Sequence, residues 1–412
     1  MRPEEIAAFG ELASEAAAGT AGHIKDMHEG IAKRVWSAVG PMAVPVRIAH
    51  DRIATRTYEA ARGLTRALVK AGANVASNVR PPDSPSIEQS PAGRAVLGAL
   101  NGAFGDTLEG RGNALALEMT LRKAARDVDL APGGLRRAFP DATPRLAVFI
   151  HGLCETDDAW RLGGARHVPY GVRLQAELGY TPLYVRYNTG RHVSANGREF
   201  ARLLGAVVSG WPTEVHEIVL IGHSMGGLVG RSGCHYSEGD EWCSKVRHVF
   251  TLGTPHRGAP LEQATNAASA ALARLPETRG FAKALNRRSV GIKDLRYGYL
   301  VDEDWFGHDC DAYLRREAQE IPFLTRANHY FMCATVSREA DALAGRLIGD
   351  LLVLQASAWS QGRRGERMRF PIDCYHHLGG ANHLDLLNHP AIYEQIRRCL
   401  TSQLALPAAA AG

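Results

Sequence analysis

The feature that most constrains this 412-residue chain is a serine motif that stands between a strand pattern and a helix pattern. Ile218-Val-Leu-Ile is a continuous apolar run of the kind that forms a buried strand. It leads directly into Gly222-His-Ser-Met-Gly-Gly, which fits G-x-S-x-G and is followed by a helix-compatible run. In this arrangement a sharp, strained turn points the Ser224 hydroxyl out of the end of a sheet. Larger side chains two residues before or after the serine would collide there, so the turn requires Gly222 and Gly226.

Short apolar runs alternate with helical patterns from Arg145 onward. Strand patterns occur at Leu146–Ile150, Leu183–Tyr187, Ile218–Ile221, Val246–Leu252 and His329–Val336. Helical periodicity lies between them, for example over Gly171–Leu178 and Asn196–Val208. This alternation predicts an α/β fold with a central, mostly parallel sheet that is covered by helices on both faces. Chemistry in such sheets takes place at the carboxyl ends of the strands.

The beginning of the chain has a different pattern. It is rich in Ala, and apolar residues recur at helical spacing over Ile24–Val39 and Ile53–Leu68; another helix is expected over Leu115–Val128. The breaker-rich segment Arg80–Ser86 indicates a linker. We therefore predict a helical N-terminal extension over residues 1–140. Its amphipathic helices are expected to pack on the main domain or on another subunit, with lipid-surface contact as the alternative.

A serine nucleophile needs a base, and in the fold that G-x-S-x-G indicates the base follows the serine in the chain. Four of the 17 histidines lie near the C-terminal end: His376, His377, His383 and His389. We predict His383, because a glycine-containing loop after the last strand brings its imidazole back over the serine. His376 and His377 end a strand pattern over Phe370–Tyr375, and His389 precedes a proline and ends a short turn.

The base in turn needs a carboxylate that orients it, placed between the serine and the histidine in chain order. We predict Asp350, because it follows the strand that ends near Val336 and because Gly349 before it fits a tight turn. The competing candidates are acidic residues of a polar, aromatic stretch and one residue close to the last strand: Asp302, Asp304, Asp309 and Asp373.

Two backbone N–H groups are needed to bind the negative charge of a tetrahedral intermediate. One normally belongs to the residue after the nucleophile, here Met225. We predict the other at Leu153, in the loop that follows the strand Leu146–Ile150, where Gly152 permits close approach of the backbone. His151 is expected to brace this loop rather than to transfer protons.

These motifs resemble the α/β-hydrolase superfamily, within its lipase-like group and the PGAP1-like esterases. The resemblance covers roughly residues 145–400 and rests on His151-Gly-Leu, Gly222–Gly227, Leu252–Pro260, Gly349-Asp350 and Asn382-His383. It implies a catalytic domain over 141–405 that hydrolyses carboxylic esters through a serine acyl-enzyme. It also implies a cap or lid insertion at about 259–324, which would shape an acyl pocket. Many such lipases have G-D-G at the acid turn, whereas Leu351 follows the aspartate here.

Composition excludes several classes of function. Lys and Arg number 48 against 43 Asp and Glu, and their scattered placement excludes a nucleic-acid-binding surface. No apolar run reaches the roughly 18 residues of a membrane-spanning helix, and no secretory signal is seen. The seven cysteines contain no C-x-x-C pair, which excludes a structural zinc, although a bridge between Cys234 and Cys243 stays open.

From these observations we expect a serine carboxylic-ester hydrolase with a small-molecule or lipid ester substrate and with no metal or organic cofactor. A cytoplasmic location is expected, with peripheral membrane or lipid-particle contact through the N-terminal helices left open, together with the oligomeric state. The same three side chains also suit an acyltransferase or a thioesterase. A third hypothesis is a hydrolase fold that serves as a lipid- or granule-binding protein, since fold alone does not establish activity.

Overall fold

The computed structural model describes residues 1–16, 69–259, 286–309, 318–335 and 374–402, together with single residues at 55, 59, 63, 66, 67, 262, 311, 353 and 357. The chain divides into two compact units, one of which comprises Arg94–Thr107, Leu117–Gln263 and Ser289–Gly412 and contains the sheet. In the other unit, residues 3–16 and 69–79 are helical. Within the described residues, no helix is both long and apolar enough to cross a membrane.

The centre of the larger unit is an eight-stranded sheet. In chain order its strands are β1 (Thr120–Lys123), β2 (Arg126–Asp127), β3 (Arg145–Ile150), β4 (Thr181–Arg186), β5 (Glu217–His223), β6 (Val246–Leu252), β7 (Asn328–Thr335) and β8 (Tyr375–Gly379). Their spatial order is β2-β1-β4-β3-β5-β6-β7-β8. All neighbours from β4 to β8 pair in parallel, whereas β1 pairs antiparallel with β2 and β4. The predicted α/β-hydrolase fold with its mostly parallel sheet is confirmed.

Helices cover both faces of this sheet. Their bounds are α1 (Pro91–Gly110), α2 (Gly134–Ala138), α3 (Tyr170–Leu178), α4 (Val193–Gly210), α5 (Met225–Tyr236), α6 (Glu241–Ser244), α7 (Val290–Asp294) and α8 (Pro390–Thr401). Short 3-10 turns lie at Ile87–Gln89, Asp157–Arg161, Asp302–Asp304 and His383–Leu387. The predicted helices near Gly171–Leu178 and Asn196–Val208 are thus present, with slightly wider bounds.

Strand β3 shows how the two layers of the core arise. Successive side chains of a strand point to opposite faces of the sheet. Leu146, Val148 and Ile150 pack with apolar residues of α4 and α5, whereas Ala147 and Phe149 pack with those of α3 and α8. Each large apolar side chain buried in this way contributes about 1.5–3 kcal/mol to folding. Burial on both faces therefore fixes the central strands, whose carboxyl ends carry the predicted site.

The expected helix over Leu115–Val128 is wrong, because β1 and β2 form a hairpin there. The turn residues Ala124 and Ala125 both have positive φ, 50° and 60°, which is the backbone of a type I′ turn. Such turns usually contain Asn-Gly or Asp-Gly, so an Ala-Ala turn gives no sequence signal. The hairpin is held by Arg122, whose buried guanidinium forms an ion pair with Asp127.

Part of the segment predicted as a lid, 259–324, is tied to the body of the larger unit. The Asp294 carboxylate accepts a hydrogen bond of 2.8 Å from the Val193 N–H at the start of α4. The Ser232 hydroxyl of α5 donates to the Leu300 carbonyl oxygen at 2.6 Å. Residues 263–285 and 312–317 of the segment lie outside the described residues, so the lid stays a prediction. The domain boundary at 140 also stays a prediction. So do the helix over 24–39, which lies outside the described residues, and the helix over 53–68, of which only single residues are described.

Cys234 and Cys243 lie close together as free thiols. The Cys243 sulfur is 3.7 Å from the Cys234 carbonyl oxygen, and both residues are buried. The hydrogen bond with the Cys243 thiol, together with burial, raises the pKa of Cys234. The bridge that the sequence left open is therefore not formed in this structure.

Candidate active site

Ser224 occupies a strained turn between β5 and α5. Its φ and ψ are 53° and −123°, a conformation that non-glycine residues rarely adopt. The strand pairing continues through this turn, since the Ser224 N–H donates to the Leu252 carbonyl oxygen at 2.8 Å. Strain of this kind costs about 1–3 kcal/mol and occurs mainly at functional sites. The sequence motif thus folds into the sharp turn that presents a nucleophile.

The two glycines that flank Ser224 are required by close packing. A Cβ on Gly222 would lie 2.6 Å from the Cα of Gly227. A Cβ on Gly226 would lie 2.5 Å from the His151 carbonyl oxygen at the end of β3. Both distances are shorter than real Cβ contacts, as the sequence motif predicts.

His383 lies next to the turn that carries the serine. It begins the 3-10 turn His383–Leu387, and only 3% of its surface is exposed. A Cβ on Gly253, directly after β6, would lie 2.8 Å from the Cε1 atom of His383. The backbone of this segment is fixed by Asn382, whose side chain accepts the Leu384 N–H at 2.9 Å. The structure therefore brings the predicted base to the carboxyl end of the sheet beside Ser224.

The other C-terminal histidines have different environments. His376 and His377 lie within β8 rather than in a strand ending at Tyr375. The Nε2 atom of His377 is 2.7 Å from the Thr335 hydroxyl oxygen. His389 is the N-cap of α8, and its Nδ1 atom accepts the N–H of Ala391 at 3.2 Å. These contacts account for His377 and His389 without a role at the serine.

Asp350, the predicted acid, lies outside the described residues, and so does Asp373. The three aspartates of the polar, aromatic stretch are engaged elsewhere. Asp304 is buried, and its carboxylate accepts three backbone N–H groups at 2.6, 2.7 and 3.0 Å. Asp302 pairs with an arginine of α4, and Asp309 accepts a backbone N–H two residues further on.

The predicted oxyanion donors border the serine. Met225 is the first residue of α5, where no helical carbonyl can accept its N–H, and the helix dipole is positive. Leu153 belongs to residues 151–156, which follow β3 and are called the oxyanion loop below. A Cβ on Gly152 would lie 3.0 Å from the Cβ of Ser224, so this loop runs directly past the nucleophile. The assignment of the two N–H groups stays a prediction.

His151 braces the oxyanion loop. Its Nδ1 atom is 3.0 Å from the Gly152 carbonyl oxygen, and its Nε2 atom lies 3.4 Å from the Tyr187 N–H nitrogen. One donor and one acceptor therefore suit its neutral form. Burial lowers the pKa of His151 as well. The Tyr187 hydroxyl also donates to the His151 carbonyl oxygen at 2.7 Å, which fixes the start of the loop.

Two titratable side chains of the site, Glu155 and His223, were not identified from the sequence. The Nδ1 atom of His223 is 3.0 Å from the nearer oxygen of Glu155, and the Gly152 N–H donates to the same carboxylate at 2.6 Å. Burial raises the pKa of Glu155, but the charge and hydrogen bond of His223 and the Gly152 N–H outweigh it, so the pKa is lowered. The sequence feature that could have pointed to this pair was His223 itself, a titratable residue in the variable position just before the serine.

Helix α1 also contributes to the site, because it packs against the oxyanion loop. The sequence did not predict this helix, because it contains several glycines. A Cβ on Gly98 would lie 2.8 Å from the Cys154 carbonyl oxygen, and one on Gly102 would collide with the Cys154 sulfur. The Cys154 N–H donates to the Thr189 hydroxyl at 3.2 Å, and the residue has a φ of 61°. The glycines thus let α1 approach the oxyanion loop closely. Within the ranges that the structure describes, no group of three His, Cys, Asp or Glu side chains is arranged to hold a metal ion.

Comparison with known proteins gives one family match. Residues 145–310, less than half of the chain, match the model of the PGAP1-like alpha/beta domain. No curated protein matches the sequence. Among solved structures, the mature lipase BlEst2 of Bacillus licheniformis is 16% identical with a TM-score of 0.41, covering 69% of this chain and 98% of its own. The metagenomic carboxyl esterase MGS0156 is 18% identical with a TM-score of 0.37, covering 77% and 96%. TM-scores below 0.5 have no bearing on substrate or mechanism.

Proposed function

We propose that this protein is a serine carboxylic-ester hydrolase that acts on apolar acyl esters through an acyl-enzyme. The observation that carries the proposal is the strained backbone of Ser224 at the junction of β5 and α5, with the buried His383 beside it. A non-glycine residue in this conformation lowers the stability of the fold, and such strain typically persists where the side chain has a function. The match to the PGAP1-like alpha/beta domain over residues 145–310 agrees with this activity.

The proposed reaction begins when Ser224 Oγ attacks the carbonyl carbon of the ester while His383 takes the serine proton. The negative charge on the carbonyl oxygen is held by the N–H groups of Leu153 and Met225. Collapse of this intermediate breaks the ester C–O bond, and the alcohol leaves with the proton from His383. Water then gives a proton to His383 and attacks the acyl-enzyme, which releases the carboxylic acid and restores Ser224. In this scheme Asp350 orients His383 and stabilises its imidazolium.

The electrostatics of the site support the acyl-transfer step. Met225 begins a helix of 12 residues, so the partial positive charge of its N-terminus faces the position of the oxyanion. Removing one oxyanion donor in enzymes of this type typically costs about 100- to 1,000-fold in rate. Pre-organised donors of this kind therefore suit an ester carbonyl, whose oxygen becomes charged during the reaction.

The test is hydrolysis of p-nitrophenyl esters from acetyl to palmitoyl, compared between wild type and Ser224→Ala. We expect the variant to lose at least about 1,000-fold in kcat while its urea unfolding midpoint stays unchanged. Ser244→Ala, at a half-buried serine at the end of α6 whose hydroxyl donates to the Glu241 carbonyl oxygen, is the matched control and keeps full activity. Retention of activity by Ser224→Ala would refute the proposal. Activity that rises with the length of the acyl chain supports an apolar acyl substrate. Activity on acetyl esters alone contradicts the proposed substrate class but not the serine mechanism.

A further inference from the structure

The side chain of His223 connects the oxyanion loop to the segment that carries His383. It is fully buried, and its Nδ1 atom lies 3.0 and 3.2 Å from the two carboxylate oxygens of Glu155. On the other side of the ring, its Nε2 atom is 3.1 Å from the main-chain carbonyl oxygen of His383. The rings of His223 and His383 are 4.7 Å apart. The His223 imidazole thus contacts both segments that lie next to Ser224, namely the oxyanion loop and the segment that begins with His383.

These contacts determine the protonation of His223. A carbonyl oxygen and an ionised carboxylate only accept hydrogen bonds, whereas a neutral imidazole has one donor and one acceptor nitrogen. Both nitrogens of His223 face acceptors, so both must carry a proton. The Gly152 N–H donates to the same carboxylate, which favours the ionised form of Glu155. His151, by contrast, faces one acceptor and one donor and is neutral.

We propose that Glu155 and the imidazolium of His223 form a charged pair that positions the oxyanion loop and the main chain of His383 relative to Ser224. This inference rests on the proposed roles of Ser224 and His383. A Cβ on Gly152 would lie 3.0 Å from the Cβ of Ser224 and 3.1 Å from both the Glu155 carboxylate and the His223 Nδ1. The three groups therefore converge at the position where the negative charge develops.

The charge balance of the pair gives it a second effect. An isolated Glu155 carboxylate would repel the oxyanion that forms beside Ser224, and the His223 imidazolium cancels this repulsion. The other titratable side chains that the described structure places around the pair are His151 and Cys154 from the oxyanion loop, Tyr187 after β4, and the imidazole of His383. Trp160, which packs edge-on at 6.4 Å from the His223 ring, is not titratable.

Glu155→Gln is the first test variant. Glutamine keeps the size of the side chain and an acceptor for the Gly152 N–H, but it removes the charge that holds the second proton on His223. We expect kcat on p-nitrophenyl esters to fall about 10- to 100-fold with KM changed less than about twofold. The control is Glu177→Gln, which breaks a half-exposed ion pair of 2.7 Å with Arg173 and should leave kcat unchanged.

The pH profile separates positioning from general support of the fold. The wild type needs His223 protonated, so the curve of its kcat against pH should fall on the alkaline side. In Glu155→Gln, kcat should not show this fall at alkaline pH, because His223 no longer carries the second proton whose loss causes it. The double variant with His223→Gln should lose less than the product of the two single losses, because the second change acts on a pair already broken. A Glu155→Gln enzyme with wild-type kcat and profile would overturn the inference.

Nitrogen NMR of isotope-labelled histidines tests the charge state without any activity. At about pH 8 an ordinary imidazole is neutral. In the Ser224→Ala protein we expect one histidine with both nitrogens protonated at that pH, and this signal should disappear in Glu155→Gln. Its absence from the Ser224→Ala spectrum would overturn the inference even if the ester hydrolase is active. If the signal is present and the wild type hydrolyses no ester, the proposed function fails while the charged pair stands.

Discussion

Gly253→Ala tests whether His383 must stay in its observed position. Gly253 follows β6 with a φ of 62°, and its N–H donates to the carbonyl oxygen of Met332 at 2.8 Å. An added Cβ would lie 2.8 Å from Cε1 and 3.0 Å from Nδ1 of His383, and 3.0 Å from a methyl of Leu386. The new methyl group therefore pushes on the imidazole from the side of the sheet.

The size of the effect follows from these distances. Carbon atoms pack best at about 3.5–4.0 Å, so the imidazole must move by about 0.5–1 Å to relieve the contact. A displacement of about 1 Å at a catalytic group costs up to about 100-fold in rate, and we expect kcat to fall about 10- to 100-fold. The positive φ costs alanine about 1–2 kcal/mol relative to glycine, and the overpacking adds about 1–3 kcal/mol.

Gly179→Ala is the matched control. Gly179 ends α3 with a φ of 71°, and nothing lies within 4 Å of the position of an added Cβ. It should lose about 1–2 kcal/mol of unfolding free energy from the backbone alone, with kcat unchanged. The assay is kcat on a p-nitrophenyl ester together with urea unfolding of both variants. If Gly253→Ala keeps the kcat of the control, His383 is not the base held at this place.

Three further changes test other parts of the structure. Gly102→Ala should lower kcat about tenfold by pushing Cys154 and the oxyanion loop, whereas Gly110→Ala in the same helix has open space and should not; equal rates would contradict the packing. Burial lowers the pKa of His329 to about 4, so the unfolded chain binds the proton first and unfolding free energy falls from about pH 6.5 to 4. His329→Gln should remove up to about 3 kcal/mol of this pH dependence in urea titrations, and an unchanged slope would refute the assignment. Tyr187→Phe should cost about 1–3 kcal/mol, because the buried carbonyl that accepts its hydroxyl loses a partner; an unchanged urea midpoint would contradict this.

The sheet and the serine turn were predictable because their signals are local. Buried parallel strands need continuous apolar runs, and Leu146–Ile150 and Val246–Leu252 were located within one residue. The turn at Ser224 permits only small residues at two flanking positions, so a five-residue pattern specifies its backbone. His383 followed from chain order and from the loop in which it lies.

Other elements were not predictable because their determinants are long-range or atypical. The turn of the β1–β2 hairpin consists of Ala124 and Ala125, in a conformation that alanine rarely adopts. The sequence therefore lacks the residues that usually indicate such a turn. Several glycines within α1 lowered its helical signal, and two of them face a loop about 50 residues further along the chain. Glu155 and His223 are 68 positions apart, and only the pairing of β3 with β5 brings them together.

The most direct test of the central claim is to trap the acyl-enzyme. Wild-type protein is mixed with p-nitrophenyl butyrate, quenched in acid during turnover, and digested for mass spectrometry. The acyl-enzyme mechanism predicts that the peptide containing Ser224 gains the mass of one butyryl group, and that Ser224→Ala protein gains none. Turnover of the ester with no acyl group on Ser224, or with the acyl group on another residue, would contradict it.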